Sequence, residues 1–164
     1  MVETTLEELA KIKEQYKNKK IVFCSGSFDL PHAGHVLFFE ECKKQGDILV
    51  VGVGTDKAIR GLKEKGRPIL NEYIRLKTVD SFKPVDYALL NESPREDHFQ
   101  VVKEIFKKLQ PDSYITNKDA FDIPTRRKIC NEMGVELKIL DRACPPEYEN
   151  ISVTEIIRKI KYLS

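Results

Sequence analysis

With 164 residues, the chain is long enough for one domain with a full hydrophobic core and too short for two ordinary ones. Its 28 Lys plus Arg against 26 Asp plus Glu speak against a general nucleic-acid binder. No apolar run is long enough to span a bilayer, segment 1–20 has no signal-peptide core, and the four cysteines form no CxxC pair, so a cytoplasmic protein with free thiols and no membrane partner is expected.

In chain order, Leu6, Leu9, Ile12 and Tyr16 recur at helical spacing, with Thr5 and Glu8 placed to cap the helix. Segment 21–24 is a short apolar run that reads as a buried strand, and Ser25-Gly26-Ser27 follows as a turn. A helical pattern over 33–45 turns Val36 and Phe39 toward a core, and 48–53 is a second buried strand without a charge. Segment 60–68, dense in positive charge and poor in apolar residues, reads as a mobile basic loop. The pattern then predicts helices over 71–81 and 97–109, with a strand over 87–90 between them. A strand over 113–116, a helix over 124–133 opened by proline, a strand over 136–140 and a last helix over about 153–162 follow. Such alternation specifies an α/β fold, a Rossmann-like three-layer sandwich around a parallel sheet of about five strands. It forms a single domain over 1–164, with an N-terminal helix in 1–19 and the core in 20–164.

In such sheets ligands bind beyond the carboxyl ends of the strands, so the segment after the first strand is the place to look. It reads GSFDLPHAGH from Gly26 to His35 and holds two of the three histidines. A helix starting near Ala33 puts His35 in its first turn and His32 just before it. The free N–H groups of a helix N-terminus suit a phosphate, and Gly34 lets a bulky anion come close. As a bare HxxH pattern the pair reads equally as surface residues. As a metal site it lacks i,i+4 spacing and further carboxylate or cysteine ligands. Its position between glycines after the first strand favours phosphate chemistry.

GSFDLPHAGH resembles the GxFDxxHxGH signature of the cytidylyltransferase-like superfamily of nucleotidyltransferases. Gly52-Val53-Gly54-Thr55-Asp56 resembles its second-strand element, and Gly66-Arg67-Pro68-Ile69 with Asn71, Glu72 and Arg75 its GRPI…E..R segment. Arg142 and the run ENISVTEI from Glu149 resemble its closing R…EGISTT-I signature. The resemblance spans 20–160 and is nearest to heptose 1-phosphate adenylyltransferase domains, with glycerol-3-phosphate cytidylyltransferases and archaeal FAD synthases almost as similar. Asn150 stands where glycine is usual, Val153 replaces a threonine, Thr116-Asn117-Lys118-Asp119 replaces a Gly-Asp pair, and 143–148 is an extra segment. These departures bear on the base and the acceptor.

The resemblance implies transfer of AMP or CMP from ATP or CTP to a phosphorylated small molecule, such as heptose 1-phosphate or glycerol 3-phosphate, by direct in-line attack with release of pyrophosphate. It implies catalytic roles for His32, His35, Lys63 and Arg142. Gly26, Ser27, Phe28, Gly34, Lys65, Asp119, Ser152 and Thr154 fall on the nucleotide side, and Asp29 and Arg75 on the acceptor side. Several of these residues have structural alternatives. Lys63 and Lys65 also read as a solvated charge run, Arg75 as an ion pair, and Ser152 and Thr154 as helix caps. Phe28 also reads as a core residue, and Asp29 as a clamp on loop N–H groups. Magnesium is expected to travel with the triphosphate, without a protein metal ligand. A homodimer with contacts over 75–84 and a role in carbohydrate precursor synthesis are also implied. The competing readings are an FMN adenylyltransferase, whose acceptor needs an apolar slot, and a nucleotide-binding regulatory domain without turnover.

Overall fold

The computed structural model describes residues 4–92, 98–142, 144–148 and 151–163. Its strands are β1 (Ile21–Gly26), β2 (Ile48–Gly54), β3 (Tyr87–Asn91), β4 (Ser113–Asn117) and β5 (Glu136–Leu140). Its helices are α1 (Leu9–Gln15), α2 (Ala33–Lys43), α3 (Asp56–Leu62), α4 (Glu72–Asp80), α5 (His98–Leu109), α6 (Ile123–Met133) and α7 (Val153–Leu163). The strands form one parallel sheet in the order β3-β2-β1-β4-β5. The order reverses between β1 and β4, so the crevice for a ligand opens above their carboxyl ends.

Strands buried on both faces need near-continuous apolar sequence, and all of β2 is buried. Alternate residues feed two cores. Ile21, Phe23, Val50, Leu89 and Tyr114 pack with Ile105, Phe106 and Ile129 of α5 and α6, while Val22, Cys24, Val51 and Ile115 pack with Phe39, Leu76 and Val79 of α2 and α4. On the first face the Phe23 ring stacks on Tyr114 at 5.5 Å and meets Phe106 edge-on at 6.1 Å. Helix α1 lies against α5, closing that face. Among the described residues, no helix is long and apolar enough to cross a membrane.

The sequence reading passed over one helix. Residues 60–62, placed in the basic loop, belong to α3, which Thr55 caps by accepting the Ala58 N–H at 3.2 Å. Only Ile59 of that helix is buried, and so short a turn with one core residue leaves no apolar period to read. The loop proper begins at Lys63.

Candidate active site

A cavity of about 880 Å³ opens at the switch point. One wall is the β1–α2 turn with the end of α3, and the other is the end of β4, Arg142 and the start of α7. His32 is the N-cap of α2, and its Nδ1 accepts the Gly34 N–H at 3.1 Å. The His35 Nδ1 in turn accepts the His32 N–H at 3.3 Å, and the two rings stack with centroids 4.0 Å apart. A nitrogen that accepts an N–H carries no proton, so both neutral rings hold theirs on Nε2. Burial, reinforced by positive charge on His32, Lys63 and Arg142, pushes the His35 imidazole down to about 3. Burial and Arg142 also lower His32. At neutral pH both rings are uncharged Nε2–H donors at a helix N-terminus, where backbone N–H groups also face an anion.

Glycine is needed on this turn. A Cβ on Gly26 would come within 2.9 Å of the Phe28 ring, and one on Gly34 within 2.9 Å of the His32 ring. Phe28, read as a nucleotide contact or a core residue, is mainly the latter. Its backbone is left-handed, with φ 46°, and its ring packs on Phe39 at 4.9 Å and edge-on to His35 at 5.5 Å.

For the two acceptor-side candidates the structure shows the structural alternative that each also offered. Asp29 is 1% exposed and lies outside the cavity wall. Its carboxylate accepts from Arg67 Nε and the Ile69 N–H at 2.9 Å, and from the Leu70 N–H at 3.0 Å. Burial pushes the Asp29 carboxyl up, but these N–H groups and the Arg67 charge outweigh it and hold the carboxyl below its ordinary value. Arg75 is fully buried and donates to the carbonyls of Leu70 and Ser27 and, at 2.8 Å, to Asp56. Both residues brace the turn from behind. Lys63 does face the cavity, where its Nζ donates to Ser27 Oγ at 2.9 Å and burial, aided by the Arg67 charge, lowers its pKa. Lys65 is exposed and lies outside the cavity wall.

On the far wall Arg142 forms an ion pair with Asp119, both about half exposed. Ser152 caps α7 by accepting the Glu155 N–H at 3.2 Å, and it lines the cavity with Thr154. Glu149 and Asn150 lie outside the described residues. The sequence reading missed Ser25, Phe121 and Arg126 on the cavity wall, and the apolar strip of Ala58, Ile59 and Leu62. Arg126 had a signal, because positions 126, 129, 130 and 133 share one face of α6.

A parallel α/β sheet with imidazole N–H groups at its switch point is the arrangement of a nucleotide-binding fold. The chain belongs to the cytidylyltransferase-like family, which it matches over residues 23–159, and it is a nucleotidyltransferase. It is 38% identical over 120 residues to the FAD synthase of Aciduliprofundum boonei, covering 73% of this chain and 75% of that one. It is also 31% identical over 161 residues to the bifunctional protein HldE of Desulfatibacillum aliphaticivorans, covering 95% of this chain but only 30% of HldE. The lipopolysaccharide core biosynthesis protein from Thermoplasma volcanium superposes with a TM-score of 0.63 at 30% identity, over 77% of this chain and 98% of that one. The pantoate-beta-alanine ligase of Francisella tularensis shares the fold, at 16% identity and a TM-score of 0.57 over 98% of this chain and 77% of the ligase.

Proposed function

We propose that this nucleotidyltransferase moves AMP from ATP onto the phosphate of a small acceptor, in the first instance a sugar phosphate, and releases pyrophosphate. The observation that carries this reading is the His32–His35 pair, whose Nε2–H groups are left to donate by the backbone bonds at each Nδ1. An acceptor phosphate oxygen attacks the α-phosphorus, the bond to the bridging oxygen breaks, and its electron pair leaves on pyrophosphate. His32, His35 and the N-terminus of α2 hold the α- and β-phosphate oxygens as charge shifts onto them. Lys63 adds a positive charge beside the histidine turn, and Arg142, from the far wall, exchanges Asp119 for phosphate. Magnesium is expected to arrive on the triphosphate. Bound there, magnesium would neutralise the charge of the phosphates.

The apolar strip of Ala58, Ile59 and Leu62 favours a second reading in which the acceptor is FMN. The relative named FAD synthase points the same way. The test is pyrophosphate release with magnesium, crossing ATP and CTP against heptose 1-phosphate, glycerol 3-phosphate and FMN. Release with ATP and one acceptor that collapses in His32→Ala and His35→Ala is expected. Activity surviving both changes would overturn the mechanism.

A further inference from the structure

Among the described residues, Arg126 is a buried cation without an anion. Its side chain is 5% exposed, yet it lines the cavity. Nε donates to the Phe121 carbonyl at 2.8 Å, Nη1 donates to the Tyr114 hydroxyl, and the guanidinium lies 5.6 Å from the Phe99 ring centre and 5.4 Å from that of Tyr114. Among the described residues it makes no ion pair. Of the cavity carboxylates, Asp119 pairs with Arg142, Asp141 with Lys118 and Glu41 with Lys44, while Glu64 and Glu147 are exposed at its rim. A buried charge without a counterion is costly, and proteins keep one where a ligand supplies the opposite charge. Burial lowers this guanidinium only to about 10, so it stays charged at neutral pH.

Its position says which ligand. Tyr114 Oη lies 2.7 Å from Ser25 Oγ, so Arg126 is two hydrogen bonds from Ser25, two residues before the Ser27 that accepts from Lys63. Phe23 and Tyr114, like Ile129 of α6, belong to the α5–α6 core, and Ser25 joins Tyr114 on that face. Phe28 and Phe39, which abut the histidine turn, belong to the α2–α4 core. The Arg126 charge and the imidazoles therefore approach the reaction centre from opposite faces of the sheet. In-line displacement has the nucleophile enter opposite the leaving pyrophosphate, and anion sites on two sides of the centre are compatible with it.

We propose that Arg126 binds the acceptor's phosphate, making the space between α6 and the Ser25 turn the acceptor's anion subsite. This rests on the reading above that the acceptor is phosphorylated. With the nucleotide site filled by a non-hydrolysable ATP analogue and magnesium, calorimetric titration with inorganic phosphate is expected to show one site. Arg126→Met should weaken phosphate about 10- to 100-fold, as for loss of hydrogen bonds from a charged donor. Arg126→Lys, which keeps the charge and loses the fork, should weaken it less. The affinity for the ATP analogue should stay unchanged, and the ligand-free melting temperature of Arg126→Met should hold or rise, because Tyr114 keeps Ser25 as a partner. In turnover, the acceptor KM should rise while that for ATP does not.

Displacement of phosphate by the ATP analogue would assign the charge to the nucleotide and overturn the proposal. So would a lower melting temperature with phosphate affinity retained, which is the mark of a structural brace. If Arg126→Met does not fold, phosphate affinity in Arg126→Lys decides alone. Arg126-dependent phosphate binding without pyrophosphate release from any acceptor would leave the subsite standing and overturn the transfer reading.

Discussion

The two walls of the cavity are built on different principles. Behind the β1–α2 turn, Asp29, Arg67, Arg75 and Asp56 form ion pairs sealed inside the protein, with side-chain exposures of 0%, 6%, 0% and 17%. On the far wall the Arg142–Asp119 pair is 48% and 50% exposed, and α7 buries no residue fully. Buried pairs are costly to break, whereas exposed ones contribute little and exchange partners readily. The histidine wall is thus set before substrate arrives, and the Arg142 wall is free to rearrange around it.

The largest expected effect tests the rigid wall directly. His35→Ala should lower turnover about 100- to 1,000-fold, by analogy with the loss of one transition-state donor, while the lost cap lowers the melting temperature by only about 3 °C. A melting temperature that collapsed with turnover would show that the ring is mainly structural. Next comes Asp29→Asn, which leaves Arg67 buried without its counter-charge. It should cost about 3 kcal/mol and lower the melting temperature by roughly 10 °C. An unchanged melting curve would erase the distinction between the walls.

Arg142→Ala should raise the KM for ATP about tenfold while the melting temperature stays within roughly 2 °C. A large loss of stability would make the far wall as rigid as the near one. Acid should act on the near wall first. The folded-state pKa values of His32 and His35 are depressed, so below about 6.5 the unfolded chain binds protons that the folded chain refuses. Stability therefore falls as pH drops from about 6.5 toward the His35 value of about 3, and Asp29 adds to the loss below its ordinary carboxyl range. A melting temperature independent of pH between 7 and 5 would contradict this. Phosphate near the imidazoles pulls the other way, so ATP binding should take up protons, readable by calorimetry in two buffers. The smallest effect is that of Asp119→Ala. If Asp119 only occupies Arg142, its loss should tighten ATP binding about twofold; weaker binding would make Asp119 a nucleotide contact.

Much of this was legible in the sequence because it depends on pattern. The uncharged runs of β1 and β2 announce a buried parallel sheet, and the segment from Gly26 to His35 announces the histidine turn at the mouth of the cavity. Burial of charge was not legible. Asp29 and Arg75 read both as ligand contacts and as braces in one dimension, because nothing local shows that Leu70, Ser27 and Asp56 will enclose them. Arg126 was overlooked for the opposite reason. Its place on the apolar face of α6 was readable, but a charge beside a second arginine reads as solvent-facing.

The reciprocal bonds between the His32 and His35 side chains and the backbone at the start of α2 tie chemistry to folding. The interactions that begin the helix are the ones that aim both imidazoles. Assembly of this part of the site is therefore local in the chain. One helical turn winds up already armed, and the rest of the protein has only to bring the substrates to it.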